Sequence, residues 1–131
     1  MGTEKIPKYL LETNVLIQYL TTEIPSKHHD LIILMQKGIC FTSVLNASEL
    51  FILAKTDLEK NKVRDLLNAL KVLGLHSRYS LSISDCKNNF DNIRDALFYI
   101  LAEQNRLIIV SNPAEKYTGL KVKSIHPDMI D

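Results

Sequence analysis

The sequence predicts an α/β protein, a parallel sheet of about five strands covered by five or six helices. Short apolar blocks alternate with longer stretches at helical spacing, which is the first sign of it. One block, residues 107–110, is an unbroken aliphatic run, as a strand buried on both faces requires. A chain of 131 residues, 46% hydrophobic and 24% charged, is long enough for one core and too short for two, so residues 1–131 read as a single domain. Residues 9–11 are the first strand candidate, and 14–20 follow at helical spacing. Ser26 is suited to cap a second helix running to Lys37, with Gly38 where a left-handed residue commonly ends a helix. Residues 39–42 read as the second strand. Over 44–55, Val44, Ala47, Ser48, Leu50, Phe51 and Ala54 fall on helical spacings, after which Asp57 can cap a helix to about Val72, stopped near Gly74. An edge-like third strand is expected at 75–77. Ser82 or Ser84 opens a small helix, and 91–105 forms a longer one with Ile93, Leu97, Ile100 and Leu101 on one stripe. The buried strand at 107–110 follows, and 121–125 is the last, alternating and more exposed.

Composition removes several function classes. The longest aliphatic run, residues 31–35, is far below the ~20 residues of a membrane span, and no basic-then-apolar leader opens the chain. A soluble, cytoplasmic protein is therefore expected. Cys40 and Cys86 are too few for a zinc quartet or a redox pair and read as small buried hydrophobes. The four glycines (Gly2, Gly38, Gly74 and Gly119) cannot be arranged into a Walker loop or a G-x-G-x-x-G turn. G-x-S-x-G and H-E-x-x-H are also absent. With a net charge of +1 there is no global positive field, so a nucleic-acid partner must be held by a local patch or by metal ions.

Open α/β sheets bind ligands at the carboxyl ends of their strands, so the polar residues just past each strand matter most. Glu12 directly follows the first strand, and Asn14 begins the next helix. Glu49 lies in the helix after the second strand, beside Ala47, Leu50 and Phe51. Asp95 comes one turn after Asp91, which puts both on one helix face. Ser111, Asn112 and Glu115 follow the buried strand. Gathered without a counterion, these carboxylates would repel one another and raise their own pKa values. A divalent cation, Mg²⁺ or Mn²⁺, would neutralise them, and two such ions about 4 Å apart support phosphodiester hydrolysis. Arg94 and Lys55 are candidates for contacting substrate phosphates. Each residue also has an ordinary reading: Glu49 as solvated helix surface, Asp91 as a helix N-terminal charge, Asn14 as a cap, and Asn112-Pro113 as a turn.

Taken in order, the motifs resemble those of the PIN domain nucleases, including the toxin branch of VapBC toxin-antitoxin systems. Leu10-Leu11-Glu12-Thr13-Asn14-Val15-Leu16-Ile17 is similar to the family's apolar strand, Asp-Thr-Asn and helix. Phe41-Thr42-Ser43-Val44 through Ala47-Ser48-Glu49-Leu50 resembles its second motif. Asp95-Ala96-Leu97, Ala102 and Leu107-Ile108-Ile109-Val110-Ser111 resemble its third motif and the strand leading to its fourth acid. The resemblance spans nearly the whole chain and implies a Rossmann-like, three-layer fold. It further implies Mg²⁺ or Mn²⁺ in an acidic pocket and endonucleolytic cleavage of RNA. Glu12, Glu49 and Asp95 would be the catalytic metal ligands, with Asp91 as an extra candidate and Asn14 and Ser111 as polar neighbours. The amphipathic segment from Asp57 to Lys71 reads as a helix packed on its neighbour, and the resemblance implies that the corresponding region can also receive an antitoxin or a second copy of the chain. Two departures stand out. Glu12 replaces the family's usual Asp, adding a methylene that favours the less demanding Mn²⁺ or weakens binding. Ser111-Asn112-Pro113 replaces the family's T-x-D, leaving Asn112 and Glu115 as the nearest substitutes. These departures support an alternative, a catalytically impaired PIN-fold module acting in RNA binding or protein assembly. A third possibility, an unrelated flavodoxin-like binding domain, would not bring Glu12, Glu49 and Asp95 together.

Overall fold

A computed structural model describes residues 5–24, 26, 29–117 and 120–127, with the side chains of Lys87 and Glu115 outside the described set. In chain order the elements are β1 (Lys8–Leu11), α1 (Thr13–Thr21), α2 (Asp30–Lys37), β2 (Ile39–Ser43), α3 (Val44–Leu53), α4 (Asp57–Asn68), β3 (Lys71–Leu73), α5 (Tyr79–Cys86), α6 (Ile93–Asn105), β4 (Ile108–Val110) and β5 (Ser124–Ile125). Short 3-10 turns lie at Lys87–Asn89 and Ala114–Tyr117. The strands form one sheet in the order β3-β2-β1-β4-β5, and every neighbouring pair is parallel. Tyr9 pairs with Cys40 on one side and Ile108 on the other, which puts β1 at the centre.

The period of two along each strand divides the core into two layers. Tyr9, Leu11, Cys40 and Val110 face a cluster with Val15, Leu16, Leu31, Leu34, Leu50, Val63 and Leu66 from α1 to α4. Leu10 and Ile109 point the other way, onto Cys86, Phe98, Tyr99 and Leu101 of α5 and α6. Helices therefore cover both faces, as the Rossmann-like expectation requires. Both cysteines are free and buried, and burial pushes the Cys40 thiol up to about 12, well away from reactive thiolate chemistry. Among the described residues no helix is long and apolar enough to cross a membrane.

Several boundaries differ from expectation. The third strand is 71–73 rather than 75–77, and α4 stops at Asn68 instead of running to Val72. The open edge of β2 takes up Lys71, Val72 and Leu73 in register with Phe41, Thr42 and Ser43, so tertiary pairing overrides the helical spacing. Thr56, rather than Asp57, caps α4, in a capping box with Glu59. The second helix is capped by His29, whose Nδ1 accepts from Leu31 N at 3.2 Å, rather than by Ser26. Gly38 is extended (φ −159°) rather than left-handed, and its need for glycine is steric: a Cβ there would lie 2.3 Å from Pro7 O. The small helix opens at Tyr79, ahead of Ser82 and Ser84, and the last strand is only Ser124–Ile125.

Candidate active site

The carboxyl ends of β1, β2 and β4 open into a cleft of about 510 Å³ that includes Glu12, Thr13, Asn14, Glu49, Asn92, Arg94, Asp95 and Lys116. Glu12 leaves β1 and becomes the N-cap of α1, where its Oε1 accepts from Thr13 N at 2.9 Å. Its backbone N–H donates to Val110 O at 3.0 Å, which fastens this corner to β4. The second corner forms where β2 turns into α3. Ser43 and Asn46 make a capping box, which leaves the Asn46 amide free to reach across the sheet. Asn46 Nδ2 donates to Glu12 Oε1 at 3.0 Å and to Thr13 Oγ1 at 2.9 Å. Glu49, three residues further along α3, accepts from Thr13 Oγ1 at 2.5 Å. The third corner is the start of α6, where Asn92 caps the helix by accepting from Asp95 N at 2.8 Å and donates its amide to Asp95 Oδ2 at 3.2 Å.

Arg94 closes the arrangement. Its Nη1 donates to Glu12 Oε2 at 2.7 Å and to Asp95 Oδ1 at 3.1 Å, and its Nε donates to Glu49 Oε2 at 3.1 Å. Its Nη2 reaches Glu49 Oε1 at 2.6 Å, Thr13 Oγ1 at 3.1 Å and Glu12 Oε1. Lys116 Nζ stands 3.5 Å from Asp95 Oδ2. From the interior, the buried Tyr117 hydroxyl donates to Glu12 Oε2 at 2.6 Å. The side chain of Glu12 is 3% exposed and that of Glu49 is 39%, so the cleft has a buried floor and a solvated rim. Burial pushes the Glu12 carboxyl up, but the bonds and charge of Arg94, with Tyr117 and Thr13, outweigh it and hold the carboxyl below its ordinary value. Burial would likewise lower Arg94, yet Glu12 and Glu49 raise it, so the guanidinium stays charged.

Glu12, Glu49, Asp95, Asn14 and Arg94 therefore meet in one cleft, and other candidates fall elsewhere. Asp91 precedes the Asn92 cap, is exposed, and does not share a helix face with Asp95. Lys55 lies beyond α3, exposed, with its Nζ 3.4 Å from Ile52 O. Asn112 is exposed, and its backbone N–H donates to Asn14 Oδ1 at 3.2 Å. Ser111 is buried and is not among the residues lining the cleft, and its Oγ has no hydrogen-bond partner among the described residues. The side chain of Glu115 lies outside the described set. Arg94, expected at a substrate phosphate, has all three guanidinium nitrogens committed to acceptors within the protein. Sequence reasoning missed Thr13, Asn46, Lys116 and Tyr117. Two of them carried a local signal: Thr13 as the middle residue of Glu12-Thr13-Asn14, and Asn46 three residues after a Ser at the end of a strand.

In donor chemistry the cleft suits a hard divalent cation, because carboxylate oxygens from three elements converge there. The position is already taken by a cation, the Arg94 guanidinium. With its charge and that of Lys116 set against the three carboxylates, one formal negative charge remains. Among the described residues, no three His, Cys, Asp or Glu side chains form a group that could hold a metal as they stand.

The fold and cleft define a three-layer α/β protein with an acidic site at the carboxyl edge of its parallel sheet. The family model for the PIN domain matches residues 9–113, and the chain belongs to that family. No curated protein matches its sequence. A chain of a toxin-antitoxin complex from Klebsiella pneumoniae superposes with a TM-score of 0.74 at 16% identity, covering 91% of this chain and 97% of the other. A chain of VapBC2 from Rickettsia felis, bound to a promoter DNA fragment, gives 0.73 at 15% identity, covering 88% and 96%. A chain of FitAcB from Neisseria gonorrhoeae gives 0.66 at 18% identity, covering 92% and 99%. At these identities the likeness is one of fold.

Proposed function

We propose that this chain is a divalent-metal-dependent endoribonuclease of the PIN family, acting in the cytoplasm as the toxin of a toxin-antitoxin pair. The observation that carries the reading is the meeting of Glu12, Glu49 and Asp95 around a single cationic group. These are the residues that would hold Mg²⁺ or Mn²⁺, and the bound ion supplies charge neutralisation and water activation for phosphodiester hydrolysis. The protein's own groups do the rest. Tyr117 and Asn46 fix the Glu12 carboxylate from the buried side, Thr13 orients Glu49, and Asn92 orients Asp95. Lys116, paired with Asp95 at 3.5 Å yet 43% exposed at the rim, is the cation placed to meet an RNA phosphate. An antitoxin and a second copy of the chain are the proposed partners. The antitoxin rests on the toxin-antitoxin complexes that share the fold.

Incubation of the purified chain with a fluorescent RNA pool tests the reading. Cleavage is expected with Mn²⁺ or Mg²⁺, no cleavage with EDTA, and a loss of at least a hundredfold in Glu12→Gln. Cleavage that survives Glu12→Gln, or that ignores divalent metal, refutes it. A second reading is favoured by Arg94 in the acid cluster and by Ser111-Asn112-Pro113 where the family has its fourth acid. It is an RNA-binding or assembly module without catalysis. RNA retention in fluorescence anisotropy with no cleavage under any metal would establish that reading instead.

A further inference from the structure

We propose that Arg94 is a built-in latch on the acidic site: its guanidinium and a divalent cation compete for Glu12, Glu49 and Asp95 and exclude each other. The inference rests on the metal-dependent reading above and adds a control to the same site. The guanidinium donates to oxygens of all three carboxylates and to Thr13 Oγ1, so it fills the space the acids surround. An ion pair of this kind removes the electrostatic reason for binding a second cation. The latch is nevertheless built to open. Arg94 stands at the second position of α6 on a long side chain that is 25% exposed, whereas Glu12 is 3% exposed. Glu12 lies on the buried floor, whereas Arg94 lines the open cleft, its guanidinium 5.3 Å from the Phe98 ring centroid. Leaving exchanges hydrogen bonds to carboxylates for water or for the phosphates of an RNA, which a guanidinium binds well. Metal affinity is therefore set by how readily Arg94 departs as well as by the number of acids.

Mn²⁺ binding at pH 7.5, followed by electron paramagnetic resonance of free Mn²⁺ and by calorimetry, tests the competition without reference to activity. Arg94→Gln is expected to bind Mn²⁺ at least tenfold more tightly than the wild type, and Arg94→Lys, which keeps the charge, to gain less. A second measurement covers a variant that fails to fold. In the wild-type protein the Arg94 Nε–H resonance is expected to be protected from solvent exchange and to lose that protection as Mg²⁺ is added. Equally tight binding by wild type and Arg94→Gln, or a protected Arg94 Nε–H in the metal-loaded protein, overturns the latch and leaves the metal site standing. No binding by either protein, with the resonance unchanged in Mg²⁺, overturns the metal-dependent reading and the latch with it.

Discussion

Tyr117→Phe removes one hydroxyl from the buried side of Glu12 while keeping an aromatic ring among Phe90 and Phe98, whose centroids lie 5.9 and 5.6 Å away. The lost bond is short, 2.6 Å, and its acceptor is charged. Bonds of that kind contribute about 1.5–3 kcal/mol. Glu12 Oε2 keeps its 2.7 Å bond from Arg94 Nη1, so the carboxylate is not stranded and the low end applies. The expected loss is about 1.5 kcal/mol, which for a domain of this size lowers Tm by roughly 5 °C. The pH dependence identifies the source. The Glu12 carboxyl lies below its ordinary 4.5, so its contribution is complete above that value and is lost as pH falls through the depressed folded value. The substitution raises that folded value toward 4.5, so the two proteins differ most near neutrality and converge in acid. At the alkaline end burial first, and then the Glu12 charge, pushes the Tyr117 hydroxyl above its ordinary 10.0. That contribution is complete below pH 10 and is lost as pH rises through the raised folded value, a loss the phenylalanine variant does not share. Urea unfolding across pH measures both limbs. A loss below 0.5 kcal/mol near neutrality, or one that persists undiminished in acid, refutes the reasoning.

Three further substitutions, at two positions, probe the frame around the site. Gly38→Ala forces a Cβ against the backbone at Pro7 O and the Tyr9 ring, so a loss of about 1–3 kcal/mol is expected in urea midpoints. Asn46→Ala removes the α3 capping partner of Ser43 together with two donors to Glu12 and Thr13, which should cost about 2–3 kcal/mol. Asn46→Asp keeps the acceptor for Ser43 but sets a second carboxylate against Glu12. Its stability near neutral pH, measured by the same melts, is expected to fall below that of the wild type.

What could be read from the sequence follows from how each residue earns its place. The central strands were legible because residues 9–11 and 107–110 are buried on both faces and written in continuous apolar letters. The third strand was misplaced because Lys71 and Val72 are exposed at a sheet edge, where β2 decides the pairing and hydropathy says little. The cap of α2 was hidden because a histidine ring nitrogen does the work usually done by serine. Glu12, Glu49 and Asp95 could be found from their positions after strands and early in helices, and their convergence is the geometry those positions imply. The inward turn of Arg94 could not be found that way. Its neighbour Asp95 suggested only nearness to the cleft, while the direction of the side chain depends on carboxylates 45 and 82 residues distant in the chain. Tyr117 gave no sign at all, since it sits in a 3-10 turn without helical or strand periodicity.

The contributors to the cleft are spread from residue 12 to residue 117, and the last of them secures the first. No fragment of the polypeptide holds enough of them to act in isolation. A half-made chain emerging from a ribosome, or one nicked between its halves, carries the letters of the site without the site itself. The turn bearing Lys116 and Tyr117 is the last piece of the site in chain order, so a chain that ends before it lacks both the bond to Glu12 and the cation beside Asp95.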